Sequence, residues 1–286
     1  MNESRSWMDT AITPDLNCNH IRRKSISGSS SFSKNSGSSS FSKKSHYLLL
    51  GEQPDQESTD KNEDRHTMQN EVTKEWDGMA GEWDDLAAGY SDGLHAILWS
   101  KLGIEDPSSL TVVDFGCGTG LLTQRIASQV ERVYALDAAP QMVELLQDKI
   151  RTRPGLDNVT AKAGILGYIQ TDSANPPQDQ KEFASWIDSL AGTVDVIVAS
   201  SVLNFVPDED LDATCRELGR LLKPQTGILF HTDWPSGDGE PADGMTAEKA
   251  QRMYTAAGLT AETTDAGMLS MGKDEAKVFF GLARKS

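Results

Sequence analysis

A glycine-rich loop between a short apolar run and a helical stretch constrains the fold more than any other feature of the sequence. Residues Leu110–Phe115 have the β-branched character of a buried strand, the loop is Gly116-Cys117-Gly118-Thr119-Gly120, and Leu121–Ser128 has helical character. A strand, a glycine loop and a helix in this order direct the amides of the helix N-terminus at an anion or a polar ligand. The pattern therefore predicts a ligand site at the carboxyl end of the first strand.

Strand and helix patterns alternate along the rest of the chain. This order predicts an α/β fold, with a Rossmann-like, seven-stranded, mostly parallel sheet flanked by helices and one antiparallel strand near the C-terminus. Helices are expected at Met142–Ile150, Asp208–Leu222 and Ala247–Ala257. The further predicted strands are Arg132–Leu136, Val159–Ala163, Val194–Ser201 and Gly227–Thr232, with a closing pair at Glu262–Thr264 and Lys277–Ala283.

Apolar side chains recur at helical spacing ahead of the first strand. The stripe predicts one amphipathic helix or a pair of short helices, and a second helix is expected from Gly93 to Leu102. We interpret residues 71–103 as lid helices that precede the sheet. The members of the stripe are Trp76, Met79, Trp83, Leu86 and Tyr90.

The first 68 residues differ in composition from the rest. Residues 22–45 hold the serine-rich runs, contain no acidic residue and include a near repeat, at 28–34 and 37–43. Such a segment cannot bury enough apolar area to offset the entropy lost on ordering. We predict a disordered Ser-rich tail over residues 1–68 and one folded domain over 69–286. Arg22-Arg23-Lys24-Ser25 fits a basophilic kinase target, and an unselected linker and a transit peptide are the alternatives.

Charge and cysteine usage narrow the partners and the compartment. The formal net charge is −16, and residues 1–70 hold equal numbers of acids and bases, so the excess negative charge lies in the domain. An acidic surface repels phosphate backbones, so neither nucleic acid nor an anionic membrane is an expected partner. No apolar run near the N-terminus approaches the ~20 residues of a membrane span. Three scattered cysteines predict no metal site and a cytoplasmic location, with organelle targeting left open.

The spacing of the loop glycines bears on the ligand. The glycines form GxGxG, and Leu121 follows them, so the third glycine of the dinucleotide fingerprint GxGxxG is absent. A nicotinamide-binding domain is therefore kept only as an alternative. Asp137, at the end of the second strand, can accept hydrogen bonds from two ribose hydroxyls. Asp114, just before the loop, can hold loop amides or a ligand ammonium.

These motifs resemble the class I S-adenosylmethionine-dependent methyltransferases, in the broad small-molecule group that includes ubiquinone/menaquinone methyltransferase-like domains. The resemblance rests on Val112–Gly120, on Asp137, and on the segment Val194–Asp208, which begins with the fourth predicted strand. Trp76–Asp84 is similar to the aromatic lid helix of that family. The resemblance covers about residues 74–284 and implies S-adenosyl-L-methionine as the cofactor.

The resemblance also implies contacts to the cofactor. The loop glycines would hold its methionine part, Asp114 its amino group and Asp137 its ribose. Many members of the family follow the third strand with an Asp that meets the adenine amine, whereas Ala163-Gly164-Ile165-Leu166 has no acid, so backbone groups would contact the adenine. The cofactor-binding residues expected are Asp114, Gly116, Cys117, Gly118, Gly120, Asp137, Ala138, Met142, Gly164, Ile165 and Ser200.

Methyl transfer is an in-line displacement that requires alignment of the acceptor and exclusion of water. A phenol or an acidic carbon also requires a base within reach. The catalytic candidates at the strand ends are Asn204, His231 and Asp233, whereas Tyr90 and His95 fit core or helix-face positions better. The expected activity is methyl transfer to a small-molecule acceptor. The alternative is a methyltransferase-like domain that binds the cofactor or a protein partner without turnover.

Overall fold

The computed structural model describes residues 73–167, 178–236 and 244–286, and its compact unit is Trp76–Ser286. The predicted Ser-rich tail, with its kinase-like motif, lies outside the described residues. Residues 168–177 and 237–243 also lie outside them.

Seven strands form one sheet in the order β3-β2-β1-β4-β5-β7-β6. All neighbouring pairs from β3 to β5 are parallel, and β7 is antiparallel to both β5 and β6. One strand therefore runs against the rest, which confirms the predicted fold class. The strands are β1 (Thr111–Phe115), β2 (Arg132–Asp137), β3 (Val159–Ala163), β4 (Val196–Ser200), β5 (Ile228–Asp233), β6 (Leu259–Met271) and β7 (Asp274–Lys285).

Helices cover both faces of the sheet because strand residues alternate between two apolar layers. Val112, Val198 and Phe230 face one layer, which holds α1 and α2, while Val113, Ile197 and Leu229 face the other. The helices are α1 (Trp83–Leu102), α2 (Leu121–Ala127), α3 (Pro140–Thr152), α4 (Gln178–Ser189), α5 (Asp208–Leu221) and α6 (Ala247–Ala257). None of these helices is long and apolar enough to cross a membrane.

The prediction of a separate helix beginning at Gly93 is wrong, because α1 runs without a break from Trp83 to Leu102. Gly93 lies in its interior, where a Cβ atom would come within 2.0 Å of the Ser270 carbonyl oxygen on β6. The glycine thus allows β6 to approach the helix, and it does not begin one.

The C-terminal strands are far longer than predicted. β6 spans Leu259–Met271 and β7 spans Asp274–Lys285. β6 is an edge strand whose side chains are mostly exposed or half-buried, so its sequence lacks the apolar alternation by which strands are recognised. The expectation of short strands at this end is therefore wrong in extent, although the pairing is antiparallel as expected.

Candidate functional site

The glycine loop follows β1 and is fastened to the end of β2. The amides of Gly116 and Cys117 donate hydrogen bonds to the Leu136 carbonyl at 2.8 and 3.0 Å. Gly116, Gly118 and Gly120 all have left-handed φ, at 74°, 53° and 81°. L-residues with side chains rarely adopt this conformation, so the glycines are required for the turn.

The loop glycines also permit close packing. A Cβ atom on Gly118 would lie 2.9 Å from Nε1 of Trp83, and one on Gly120 would lie 2.3 Å from Cδ1 of Leu146. The indole of α1 therefore lies directly against the loop backbone. The lid and the loop form one surface.

Asp137 joins the end of β2 to the loop. Its Oδ2 accepts a hydrogen bond from the Gly118 amide at 2.7 Å, and its Oδ1 accepts one from the Ala139 amide at 2.9 Å. Burial raises the pKa of the Asp137 carboxyl. Each carboxylate oxygen can accept a further hydrogen bond, so ligand hydroxyls can still be held there.

Asp114 is a second carboxyl group at this edge of the sheet. It is buried, and its Oδ2 accepts a hydrogen bond from Thr123 Oγ1 at 2.5 Å. Burial, together with the charge of Asp137, raises the pKa of Asp114 to about 6. Two carboxyl groups at the ends of adjacent strands favour a ligand that carries positive charge.

Aromatic rings of the lid extend across the strand ends. Trp76 makes edge contacts with Trp83 at 5.5 Å and with Phe205 at 5.0 Å between ring centroids. Both indoles pack against a small buried cluster that includes Ala139 and Met142 at the start of α3. The lid thereby connects the glycine loop with the turn after β4.

A polar network holds the lid to the loop. The Asp84 carboxylate accepts a hydrogen bond from Thr119 Oγ1 at 2.5 Å and forms an ion pair with Lys149 at 2.6 Å. Lys149 also donates to the Thr119 carbonyl at 2.8 Å. Partial burial alone would raise the pKa of the Asp84 carboxyl, but these hydrogen bonds lower it.

Three hydroxyl groups meet at the ends of β4 and β5. The Tyr90 hydroxyl donates to Thr232 Oγ1 at 3.0 Å and accepts from Ser201 Oγ at 3.0 Å. Ser201 has a left-handed φ of 53°, an uncommon conformation for a residue other than glycine, and Ser200 pairs with Thr232 in the sheet. Sequence reasoning treated Tyr90 as a core residue. The signal that could have indicated this contact was the position of Tyr90 as the last member of the apolar stripe.

His231 is entirely buried beneath this edge. Its Nδ1 lies 2.7 Å from Asp233 Oδ2, and its Nε2 lies 2.7 Å from the hydroxyl of Tyr254 on α6. A Cβ atom on Gly281 would lie 2.0 Å from Nε2, so this glycine of β7 makes room for the ring. Both ring nitrogens therefore have protein partners, and His231 does not reach the surface of the site.

Asn204 is connected to the same chain of groups. Its backbone amide donates to Asp233 Oδ1 at 3.2 Å, and its Nδ2 donates to the Trp234 carbonyl at 3.0 Å. Its buried Oδ1 has no hydrogen-bond partner within the described part of the chain. His231, Asp233 and Asn204 are thus brought together, in an order that makes His231 the innermost.

The other predicted residues lie in the glycine loop, after β2 and after β3, except for His95, which lies elsewhere. Cys117 is buried in the glycine loop, where burial raises the pKa of its thiol well above the usual range. Ala138 is exposed after β2. Gly164 and Ile165 follow β3, beside the end of β2. His95 lies away from the site and contacts Gln129 at 3.1 Å, as a helix-face residue would.

Comparison with known proteins agrees with this arrangement. Residues 113–229 match the model of a methyltransferase domain family. The magnesium-protoporphyrin O-methyltransferase of Rhodobacter capsulatus is 31% identical over 99 residues, which is 35% of this chain and 40% of the relative. The ubiquinone biosynthesis O-methyltransferase of Xanthomonas oryzae pv. oryzae is 29% identical over 168 residues, which is 57% of this chain and 61% of the relative. The chain thus spans about two fifths to three fifths of these relatives.

Solved structures share the fold. The 1,6-didemethyltoxoflavin-N1-methyltransferase of Burkholderia thailandensis, solved with bound 1,6-didemethyltoxoflavin and S-adenosylhomocysteine, matches with a TM-score of 0.53 at 19% identity. The match covers 82% of this chain and 93% of that one. The sheet order, the glycine loop and the family match agree with the resemblance of the sequence. Residues 113–229 of the chain thus match a methyltransferase domain family, and the chain shares its fold with a solved methyltransferase.

Proposed function

We propose that this chain binds S-adenosyl-L-methionine at the carboxyl ends of β1 and β2 and transfers its methyl group to a small-molecule acceptor. The observation that carries the proposal is the hydrogen bond between the Asp137 carboxylate and the Gly118 amide, at 2.7 Å. It combines a ribose-binding carboxylate and a glycine loop in one site. The family match over residues 113–229 supports the same conclusion.

The residues present suit this cofactor. Its methionine ammonium and its sulfonium are both positive, and the site offers the carboxyl groups of Asp114 and Asp137. Asp114 would hold the ammonium and Asp137 the ribose hydroxyls. The backbone of the glycine loop, with Cys117, would lie under the methionine part, and Ser200 would lie near it. The residues that would line the adenine side are Ala138, Met142, Gly164 and Ile165.

The nicotinamide alternative is less well supported. Leu121 begins α2 directly after the last loop glycine, so the three glycines with left-handed φ all lie within five residues. The dinucleotide fingerprint instead places two residues between its last two glycines. A carboxylate for ribose is common to both ligand classes. The glycine spacing therefore favours S-adenosyl-L-methionine.

When bound, the cofactor would supply a sulfonium methyl group, and attack of an acceptor on the methyl carbon would release S-adenosylhomocysteine as the leaving group in line. The aromatic rings of Trp76, Trp83 and Phe205 would exclude water from this reaction. Asn204, in the turn after β4, would contact the acceptor. His231 and Asp233 would act by positioning the Asn204 backbone, because His231 is buried and Asp233 holds the Asn204 amide.

The acceptor class follows from the relatives and from charge. Both relatives compared above are O-methyltransferases, so small molecules with a reactive oxygen are the first acceptors to test. The net charge of −16 disfavours nucleic acid as an acceptor. A reducing compartment such as the cytoplasm suits the buried free thiols of Cys117 and Cys215.

The test is a methyl-transfer assay with the purified full chain. The protein is incubated with S-adenosyl-L-methionine carrying a labelled methyl group and a panel of phenols, carboxylates and amines. We expect labelled product from at least one acceptor, and none with the Asp137→Ala variant. Binding of the cofactor with no turnover across the panel would favour the methyltransferase-like binding domain.

A further inference from the structure

Ser201, the first residue after β4, has an unusual backbone conformation. Its φ is 53°, and it is one of two residues other than glycine with a left-handed φ in the described part of the chain, the second being Gln225. A side chain makes this conformation unfavourable, so it persists only where the surrounding structure holds it. The contacts of Ser201 therefore decide how the chain leaves β4.

Two hydrogen bonds hold Ser201. Its amide donates to the Thr232 carbonyl on β5 at 2.6 Å, and its Oγ donates to the Tyr90 hydroxyl at 3.0 Å. The Tyr90 hydroxyl in turn donates to Oγ1 of Thr232, a fully buried residue, at 3.0 Å. The backbone bond continues the pairing of β4 with β5, whereas the side-chain bond comes from α1. Tyr90 thus couples Ser201 to α1.

The left-handed turn at Ser201 directs the following residues along the glycine loop. The Val202 side chain packs on Gly116 so closely that a Cβ atom on the glycine would lie 2.5 Å from Cγ2 of the valine. A short 3-10 helix, Leu203–Phe205, follows, and Asp233 accepts a hydrogen bond from its backbone. The turn is therefore held at its far end by Asp233 and at its near end by the hydroxyl from α1.

Residues 200–205 carry polar oxygen atoms and no charged side chain. These oxygens belong to the backbone and to the side chains of Ser200, Ser201 and Asn204. The turn lies beside the glycine loop, which would hold the methionine part of the cofactor, so the turn would border the sulfonium and its methyl group. Oxygen atoms stabilise a nearby positive charge. A displaced turn would lose these contacts, and a ligand without the methyl group and the charge would be affected far less.

We propose that Tyr90 is a positioning residue for methyl transfer. Its hydroxyl acts through Ser201, by holding the turn after β4 in the left-handed conformation in which residues 200–205 would face the transferred methyl group. The inference rests on the proposed function, because it takes the site to bind S-adenosyl-L-methionine. Through Tyr90, the position of α1 determines the conformation of the turn beside the reacting group.

The test compares two ligands that differ only in the transferred methyl group and its charge. Isothermal titration of the full chain measures Kd for S-adenosyl-L-methionine and for S-adenosylhomocysteine. Tyr90→Phe removes the hydroxyl and keeps the ring. We expect it to raise the Kd for S-adenosyl-L-methionine about five- to tenfold, the effect of one lost hydrogen bond, and to change the Kd for S-adenosylhomocysteine less than about twofold. An unchanged ratio of the two Kd values in a folded Tyr90→Phe protein would overturn the inference.

Substitutions at Ser201 separate positioning from general stability. Glycine adopts a left-handed φ about as readily as a right-handed one, so adding Ser201→Gly to Tyr90→Phe should restore the ratio of the Kd values to within about twofold of wild type. Ser201→Ala lacks the hydroxyl but keeps the Cβ atom, so it should reproduce the effect of Tyr90→Phe, and it carries the test if Tyr90→Phe does not fold. A double variant as impaired as Tyr90→Phe would contradict a role through Ser201.

Thr232→Val is the structural control. It removes the second hydroxyl partner of Tyr90 and keeps the backbone carbonyl that accepts from the Ser201 amide. We expect lower stability in urea unfolding and an unchanged ratio of the Kd values. A ratio shifted as far as in Tyr90→Phe would show that the ratio follows stability, and would overturn the inference. Failure of the wild type to bind S-adenosylhomocysteine at all would instead refute the proposed function.

Discussion

The carboxylate of Asp137 accepts a hydrogen bond from the backbone amide of Gly118, although the two residues follow different strands and lie 19 positions apart. The bond fixes the glycine loop against the end of β2. It also requires Gly118 to keep its left-handed φ of 53°, because the loop meets the carboxylate in that conformation. Loop geometry and ligand binding should therefore depend on each other.

Replacement of Gly118 should impair both the loop geometry and ligand binding. In Gly118→Ala, the backbone conformation is strained and the new methyl group lies 2.9 Å from Nε1 of Trp83, so the indole must move. We expect the free energy of unfolding to fall by about 1–3 kcal/mol and the Kd for S-adenosylhomocysteine to rise at least about tenfold. Urea unfolding and isothermal titration measure the two effects.

The matched control is Gly155→Ala. Gly155 also has a left-handed φ, of 80°, but no described atom lies within 4 Å of the position that its new methyl group would take, so only the backbone strain remains. We expect a loss of about 1 kcal/mol and unchanged ligand affinity. Equal affinities for the two variants would show that the loop at Gly118 is not part of the ligand site.

Asp114 should make stability fall as pH rises. Its pKa in the folded protein is about 6, above the ordinary value of 3.8, so the folded state binds the proton more tightly. Between about pH 4 and 6 the free energy of unfolding therefore decreases with rising pH, and the loss is complete above about pH 6. Asp114→Asn keeps an oxygen to accept from Thr123 but does not ionise. Its stability relative to wild type should increase by about 2–3 kcal/mol between pH 4 and 7.5.

Urea unfolding of both proteins at a series of pH values measures this difference, and titrating groups that do not interact with Asp114 cancel in it. A difference that does not change with pH would contradict the raised pKa of Asp114. The same variant should bind S-adenosylhomocysteine at least about tenfold more weakly at pH 7.5, because the carboxylate that would hold the ligand ammonium is gone. A variant that gains stability relative to wild type as the pH rises, and yet binds the ligand more weakly, would show that Asp114 serves ligand binding.

Tyr90 should contribute to stability as a neutral hydrogen-bonding group. Burial raises its pKa to about 12, so the phenol stays protonated at neutral pH and cannot serve as a base there. Tyr90→Phe leaves the hydroxyls of Ser201 and Thr232 without this partner and should cost about 1–3 kcal/mol. Tyr134→Phe is the control, because Tyr134 contacts Trp186 through its ring, and it should cost less. Similar stabilities of the two variants in urea unfolding would rule out this role of the Tyr90 hydroxyl.

His231 should act through Asp233 and not on the acceptor. Removal of its buried ring in His231→Gln should lower the free energy of unfolding by about 2–4 kcal/mol, whereas Tyr254→Phe removes one hydrogen bond and should cost about 1 kcal/mol. Both variants should keep the Kd for S-adenosylhomocysteine within about threefold of wild type. A fully stable His231→Gln protein that binds the cofactor but has lost methyl transfer would instead assign His231 a direct catalytic role.

Elements with strong local signals could be predicted from the sequence alone. β3 and α6 have the predicted bounds, and α6 ends before Gly258, whose φ of 66° provides the left-handed cap expected of glycine at that position. Where a residue serves a contact with a part of the chain that is distant in sequence, the local sequence pattern predicts the wrong structure. Gly93 is an example, since its small size serves the Ser270 carbonyl far along the chain.

The candidate site likewise has one part that could be predicted from the sequence and one part that could not. The joint placement of the glycine loop and Asp137 follows from parallel topology, because parallel strands end at one edge of the sheet. The meeting of Tyr90 with Ser201 and Thr232 joins groups 111 and 142 positions apart, through a helix whose orientation on the sheet no local pattern specifies. Long-range contacts of this kind required the structure.

The central claim is that the glycine loop and Asp137 form a site for S-adenosyl-L-methionine. Its most direct test is isothermal titration of the full chain with S-adenosylhomocysteine and with NAD in parallel, using Asp137→Ala as the control. We expect micromolar binding of S-adenosylhomocysteine, no binding of NAD, and loss of binding in the variant. Binding of NAD alone, or of neither ligand by a folded protein, would contradict the claim.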